Sequence, residues 1–288
     1  MQQKKQPQIF VIVLNFNNKD TILSCLKHIY ASQYSNYQVV VVDNASSDGS
    51  LEQVKKHFSR AHFIVSGKNL GFACGVNLGI RYALEKGADE VFLVNSDAYI
   101  QKETLKTLSF WRKKRGPGIY SPKILTPNGS TWFSLGTIDW FRLRAIHKKT
   151  IRRQSSSYES EYVPGCSMLI SKEVFKNIGL FDERFFLYYE DVDLCFRARS
   201  KGFGVYVISD TSVIHEEKSE SDKPKKIYHL VLSANVFFKK NATLGYQLWF
   251  RCFHIVRKIK SFYRLRGNPN NALAQSVYRA LRSLPYEK

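Results

Sequence analysis

What this 288-residue chain lacks narrows it quickly. No stretch approaches the roughly 18 consecutive apolar residues of a membrane span, so any contact with a bilayer has to be peripheral. The apolar run near the N-terminus stops after six residues at Asn15 with no small-residue cleavage site behind it, so it reads as a first strand and not as a signal peptide. The five cysteines (Cys25, Cys74, Cys166, Cys195, Cys252) are odd in number and never form Cys-x-x-Cys, which suits reduced, mostly buried thiols in a cytoplasmic protein. Neither Gly-x-Gly-x-x-Gly nor a Walker lysine loop is present, which disfavours a dinucleotide-dependent dehydrogenase. Gly71, Gly75 and Gly79 recur every four residues, a spacing that points to close helix packing.

Acids are also scarce: 24 Asp and Glu against 44 Lys and Arg leave a net charge of +20. An excess of that size implies an anionic partner, whether nucleic acid, anionic lipid or a phosphorylated substrate. Residues 101–153 carry 13 Lys/Arg against only Glu103 and Asp139, and residues 223–288 carry 14 against only Glu287. The charge therefore lies outside the expected core.

What is present is a repeating unit. "IFVIVL" (9–14), "YQVVVVD" (37–43), "HFIVS" (62–66) and "EVFLV" (90–94) are apolar runs of strand length. Between them, Ile22, Leu26 and Ile29, then Leu51, Val54 and Phe58, then "GFACGVNLGIRYALEKG" follow helical spacing. Alternating strands and helices with fully apolar strands predict a doubly wound α/β domain, a mainly parallel, Rossmann-like sheet with helices on both faces. Residues 113–162 show no clear period and read as a mobile loop region. Order returns from "CSMLIS" onward as strand, short helix, loop, helix and strand, and the core is expected to close near Ser221. This divides the chain into a domain over 1–222 and a basic, aromatic-rich helical extension over 223–288.

In such sheets ligands bind at the carboxyl ends of the strands. Those ends carry Asn15 and Asn17, Asp43 and Asn44, Asn69, and Asn95 with Asp97, so four strand ends offer polar groups on one rim. Turn chemistry favours Asn and Asp at any one such position, but four together are harder to dismiss. A second acidic cluster, Glu190, Asp191 and Asp193, follows Phe185, Phe186, Tyr188 and Tyr189 at the expected start of a helix. Acids in a first turn complement the helix dipole; three in four residues beside an aromatic run suit a carboxylate tuned for proton abstraction in a partly dry pocket. His215 comes after the last strand. With Asp97 it could hold a divalent Mn2+ or Mg2+ if the substrate, such as a diphosphate, supplied the remaining ligands.

At this point "VIVLNFNN", "VVVVDNASSDGS", "NLGFACGVNLGI", "VNSDA" and "GLFDERFFLYYEDVDLCFRARSKGFGVYVISDTSVIH" can be taken together. In that order, over roughly residues 9–219, the chain resembles the inverting nucleotide-sugar glycosyltransferases of family 2 with the GT-A fold, and most closely the rhamnosyltransferase-like branch that also includes galactofuranosyltransferases. The resemblance implies that Asp43 contacts the nucleotide base and that Asn15, Asn69 and Asn77 line the nucleotide pocket, with Asn17, Gly71 and Ser96 grouped with them on the donor side. It implies that Asn95 reaches the donor's ribose or diphosphate, that Asp97 and His215 hold the metal, and that Asp191 is the catalytic base within a Glu190–Asp191 pair. The sequence departs from the family pattern at Ser96, where proline is frequent, and at Cys74 and Val76, which replace the usual Gly and Asn. The implied activity is metal-dependent transfer of a hexose, first of all L-rhamnose from dTDP-rhamnose, to a glycan or lipid-linked acceptor in cell-surface polysaccharide synthesis. UDP-galactofuranose and UDP-N-acetylglucosamine are the alternative donors.

The aromatic residues interleaved with cations after residue 223 fit either a helical appendage on the core or a peripheral anchor on the anionic inner face of the cell membrane. Two other classes compete with the transferase. A nucleic-acid-binding protein would use the same cations and aromatics, but no recognised motif supports it and no nucleic acid partner is expected. A glycosidase would need two carboxyl groups flanking one bond, a geometry that nothing in the sequence specifies.

Overall fold

The structure, a computed structural model, describes residues 6–150, 155–216 and 223–283. Its first half is the expected alternation: β1 (Ile9–Asn15), α1 (Lys19–Tyr30), β2 (Tyr37–Asp43), α2 (Ser50–His57), β3 (His62–Val65), α3 (Gly71–Glu85) and β4 (Glu90–Asn95). β1 lies between β2 and β4, and these four strands run parallel. The strands are apolar throughout because both of their faces are covered. Phe10, Ile12, Val40, Val42, Val91 and Leu93 enter one core cluster with Ala73, Val76 and Ile80 of α3. The alternate residues Val11, Val13, Val39, Val41, Phe92 and Val94 enter a second with Ile22, Leu26 and Ile29 of α1. A Cβ at Gly79 would lie 2.7 Å from Ile12 and one at Gly75 2.7 Å from Leu14, so both glycines let α3 sit against the sheet.

The second half extends the sheet. β5 (Ala98–Ile100) and α4 (Thr104–Arg115) lead to β6 (Gly118–Leu125), β7 (Thr131–Phe133), β8 (Leu135–Asp139), β9 (Arg144–Lys148), β10 (Ser157–Glu159), β11 (Ser167–Ser171), α5 (Lys172–Ile178), α6 (Glu190–Ser200) and β12 (Gly204–His215). Among the described residues the main sheet runs β10-β12-β6-β11-β4-β1-β2-β3, with β5 on β12 and β7 on β6. β11 is antiparallel to both of its neighbours, so the sheet is mixed with a parallel block of four.

The loop expected over 113–162 is therefore corrected. Residues 113–115 finish α4, and β6 to β10 occupy much of the rest, while residues 151–154 lie outside the described set. Their signal was hidden by local chemistry: β6 contains Ser121 and Pro122, and the other four strands are three to five residues long. β6 is a strand because β11 and β12, from much later in the chain, pair with it on both sides.

The expected close of the core near Ser221 also lies outside the described residues. Three helices follow it: α7 (Lys223–Asn241), α8 (Leu244–Gly267) and α9 (Ala272–Arg282). α7 contributes Ala234, Phe237 and Phe238 to the same cluster as α3 and α6, with both phenylalanines fully buried. Lys240 near its end bonds Asp182 at 2.8 Å and Asp193 at 2.6 Å. This helix is packed into the main body.

Candidate functional site

The carboxyl ends of the parallel strands lie level: Asn15 pairs with Asp43, and Leu14 with Asn95. The buried Asn15 amide donates to Asp43 Oδ1 (2.9 Å), Ser46 Oγ (3.0 Å) and Ser50 Oγ (2.8 Å), and Asp43 Oδ2 accepts from Ser46 N–H (3.0 Å). The exposed Asn17, at φ +52°, accepts from Ser47 N–H at 2.8 Å and extends this network outward. Asn44, which sequence reasoning noticed but gave no role, joins the next strand end. Its Nδ2 donates to Asn69 Oδ1 (3.1 Å) and Gly71 O (3.0 Å), and its Oδ1 accepts from Leu70 N–H (3.0 Å).

Two predicted donor residues are engaged within the protein. Asn77 is buried and bonds the Phe181 backbone in both directions, at 2.9 and 3.1 Å, and Glu183 at 3.0 Å. It staples α3 to the loop before α6. Ser96 is buried and accepts from Asn18 Nδ2 at 2.7 Å, which ties the β4–β5 turn to the start of α1. Asn95, directly before Ser96, is partly exposed.

β5 turns back along β12, pairing Ala98 with His215, and this register sets Asp97 beside the histidine. His215 Nε2 stands 3.2 Å from Asp97 Oδ1. That oxygen is buried and, apart from this histidine, has no hydrogen-bond partner, and Trp132 closes the histidine edge-on with ring centres 5.4 Å apart. Burial opposes a charge on the imidazole, while Cys166 and Asp97 beside it favour one, and the balance raises its pKa. Among the described residues no group of three His, Cys, Asp or Glu gathers at one point. The pair nonetheless fits a divalent cation. Two ligands about 2.1 Å from one octahedral ion stand about 3 Å apart, and a buried carboxylate oxygen paired with this histidine alone is the donor such an ion needs. The other ligands would have to come from the substrate.

The second acidic cluster separates into three roles. Asp193 is fully buried and paired with Arg197 Nε (2.7 Å) and Lys240 Nζ (2.6 Å), so it is structural. Glu190 is 5% exposed with Oε2 unpartnered; burial, then the neighbouring Asp191, push its pKa well up, so it favours the neutral acid. Asp191 is more open. Burial raises its pKa too, against N–H donors from Gly165 to Oδ2 (2.9 Å) and Val192 to Oδ1 (2.7 Å) that stabilise the carboxylate.

The backbone leading to Asp191 is strained. Tyr188 and Tyr189 have φ of +69° and +66°, a conformation costing a non-glycine residue about 1–3 kcal/mol that persists only where the surroundings enforce it. The surroundings here are distant in sequence. Tyr189 Oη accepts from Ala145 N–H at 3.0 Å, and its ring meets Phe237 and Phe238 of α7. Ser233 Oγ of α7 donates to Leu187 O at 2.8 Å, and His229 stacks on Phe186 with centres 4.9 Å apart. Phe186 O in turn accepts from Phe72 N–H at 2.7 Å, in the space a Cβ on Gly71 would fill; Gly71 is at φ +79°.

One dipeptide joins the two acidic regions. Gly165 N–H binds Asp191, and the carbonyl of Cys166 accepts from Asn95 N–H at 3.0 Å. Sequence reasoning missed this dipeptide, although a Pro-Gly turn directly before an apolar strand marks it.

Comparison with known proteins agrees with this arrangement. The profile described as "Glycosyl transferase family 2" matches residues 10–179. The chain is 29% identical over 255 residues to the low-salt glycan biosynthesis hexosyltransferase Agl10 of Haloferax volcanii, covering 84% of this chain and 78% of that one. It is 28% identical to the dTDP-rhamnosyl transferase RfbF of Shigella flexneri (81% and 80% covered) and 27% identical to the galactofuranosyltransferase GlfT1 of Mycobacterium tuberculosis (75% and 72%). In fold it is similar to GalNAc-T7, solved with UDP, GalNAc and Mn2+, at a TM-score of 0.67 and 15% identity. That likeness covers 81% of this chain and 48% of the other, so this chain spans about half of its length. With the family profile matching more than half of its residues, and the strand-end rim lying within that match, the chain belongs to glycosyl transferase family 2 and has the GT-A fold.

Proposed function

We infer that the rim transfers a hexose from a nucleoside diphosphate sugar to an acceptor hydroxyl with inversion at the anomeric carbon. The observation that carries this reading is the Gly165–Cys166 bridge, one dipeptide that binds the carboxylate of the candidate base Asp191 at one end and the backbone N–H of Asn95, on the candidate diphosphate side, at the other. Asp191 accepts the proton of the acceptor hydroxyl, the oxygen attacks the anomeric carbon, and the bond to the diphosphate breaks on the opposite face. Glu190, neutral beside it, leaves Asp191 as the ionised member of the pair. Asn15, Asn17, Asp43, Asn69 and Gly71 form the strand-end wall on which the nucleotide rests, and Asn95 presents an uncharged amide to the donor. Asp97 and His215 would hold a divalent Mn2+ or Mg2+, which when bound supplies charge neutralisation to the leaving diphosphate. We place α7 within the catalytic unit, because it holds the loop before Asp191.

Similarity to RfbF favours dTDP-rhamnose as donor, and similarity to GlfT1 keeps UDP-galactofuranose as the second candidate. The acceptor class that fits is a glycan or lipid-linked saccharide reached from the cytoplasmic side. The test is a donor screen over dTDP-rhamnose, UDP-galactofuranose, UDP-N-acetylglucosamine and GDP-mannose with and without Mn2+, reading thermal shift, slow donor hydrolysis and, by NMR, the product's anomeric configuration. A product retaining the donor configuration, or full turnover by a folded Asp191→Asn variant, overturns the reading.

A further inference from the structure

The outer face of α8 has the makings of a docking surface. Leu244 (87% exposed), Leu248 (70%), Ile255 (58%), Ile259 (51%) and Phe262 (46%) recur at intervals of four, seven, four and three residues. At 3.6 residues per turn this is one stripe, running most of the about 36 Å length of a 24-residue helix. Its opposite face is used: His254 and Ser261 are buried, Phe250 and Phe253 pack on the main core, and Trp249 stacks on Phe141 at 4.8 Å and donates to its carbonyl. Continuous exposed apolar area on that scale marks an interaction site.

Charge decides what covers it. Residues 223–283 contain 13 Lys/Arg and no Asp or Glu, and α8 itself carries Arg251, Arg257, Lys258, Lys260, Arg264 and Arg266. A second copy of the chain would bring cations against cations across a symmetric interface, whereas an anionic surface would neutralise them. Among the described residues no helix is long and apolar enough to cross a membrane, so the helix is suited to lie in the interfacial plane. We propose that α8 docks the protein on an anionic lipid bilayer, its apolar stripe entering the headgroup boundary and its cations meeting lipid phosphates. The surface stands whatever the rim catalyses; its use, presenting the rim to a lipid-linked acceptor, rests on the reaction inferred above.

The test is flotation of the full chain with vesicles of phosphatidylcholine alone or mixed with phosphatidylglycerol. The chain is expected to float with the anionic vesicles only, and to be released in part by about 0.5 M salt, where surface electrostatics are screened. Leu248→Glu/Ile255→Glu is expected to lower the bound fraction about tenfold or more with unchanged Tm and unchanged turnover of a water-soluble acceptor. Lys260→Glu/Arg266→Glu is expected to weaken binding and reduce its salt sensitivity. Equal binding by wild type and the Leu248/Ile255 variant, or a dimer in light scattering that this variant converts to monomer, overturns the proposal. Asp191→Asn serves as the control: an inactive variant that floats normally supports both readings, and an active one overturns the reaction while leaving the membrane result standing.

Discussion

Asp97 and Asp191, the two candidate acids of the proposed site, are held by different means. Asp97 follows directly from β4, and a cross-strand pairing of Ala98 with His215 delivers its partner. The ladder that positions it is backbone, so few side chains are needed beyond the Asn18 tie to Ser96. Asp191 follows two tyrosines in left-handed conformation. Its position depends on Gly165, Ala145 and the α7 residues Ser233, Phe237 and Phe238, all more than 20 residues away. The difference teaches that the candidate metal side is a property of the sheet, while the candidate base side is a property of how a C-terminal helix packs on it.

Substitutions can break this contrast. The largest effect is expected from Asp191→Asn, a loss of about 10²–10⁴ in kcat with Tm preserved, measured with a water-soluble acceptor. Asp97→Asn should lower metal affinity about 10- to 100-fold, read as the Mn2+ concentration needed for donor-induced thermal shift, with little change in Tm. Phe237→Ala, far from Asp97, should cost about 3–5 kcal/mol in chemical denaturation. If it left stability intact, α7 would not belong to the core. Ser233→Ala removes one neutral hydrogen bond of about 0.5–1.5 kcal/mol from the strained loop, so kcat should fall about two- to tenfold at unchanged donor KM, and Ser233→Thr should restore it.

A last effect, read in stability and not in turnover, concerns the sheet side alone. Glu90 is fully buried at the start of β4, and burial, opposed by Arg112, raises its pKa from 4.5 to about 7. The folded state therefore holds this proton more tightly than the unfolded chain. The stability it contributes is full below pH 4.5 and is lost as pH rises through about 7. Glu90→Gln should flatten that decline in a pH series of urea midpoints and leave the pH dependence of kcat unchanged.

The same contrast explains what could be read in advance. β1 to β4 and their rim were legible because strands covered on both faces are apolar at every position, and because Asn and Asp at strand ends stand out against them. The strands between 118 and 159 were not, since Ser121, Pro122 and very short segments look like turns until β11 and β12 flank β6, β7 joins β6, β8 and β9 pair with each other, and β10 joins β12. Asn77 and Asn69 show the limit at single residues. Both are asparagines near α3, but one is buried as a staple to Phe181 and the other is exposed at the rim, and only packing distinguishes them.

Local order along the chain determined the parallel block, the polar strand ends, the acidic clusters and the basic C-terminal composition, because periodicity and turn chemistry act over a few residues. Tertiary structure alone decided that Asp97 meets His215, that Asp193 is spent on Arg197 and Lys240, and that α7 is core while the apolar stripe of α8 faces outward. Those outcomes depend on which distant surfaces bury one another, and helices as alike in composition as α7 and α8 carry no local mark of which will be covered.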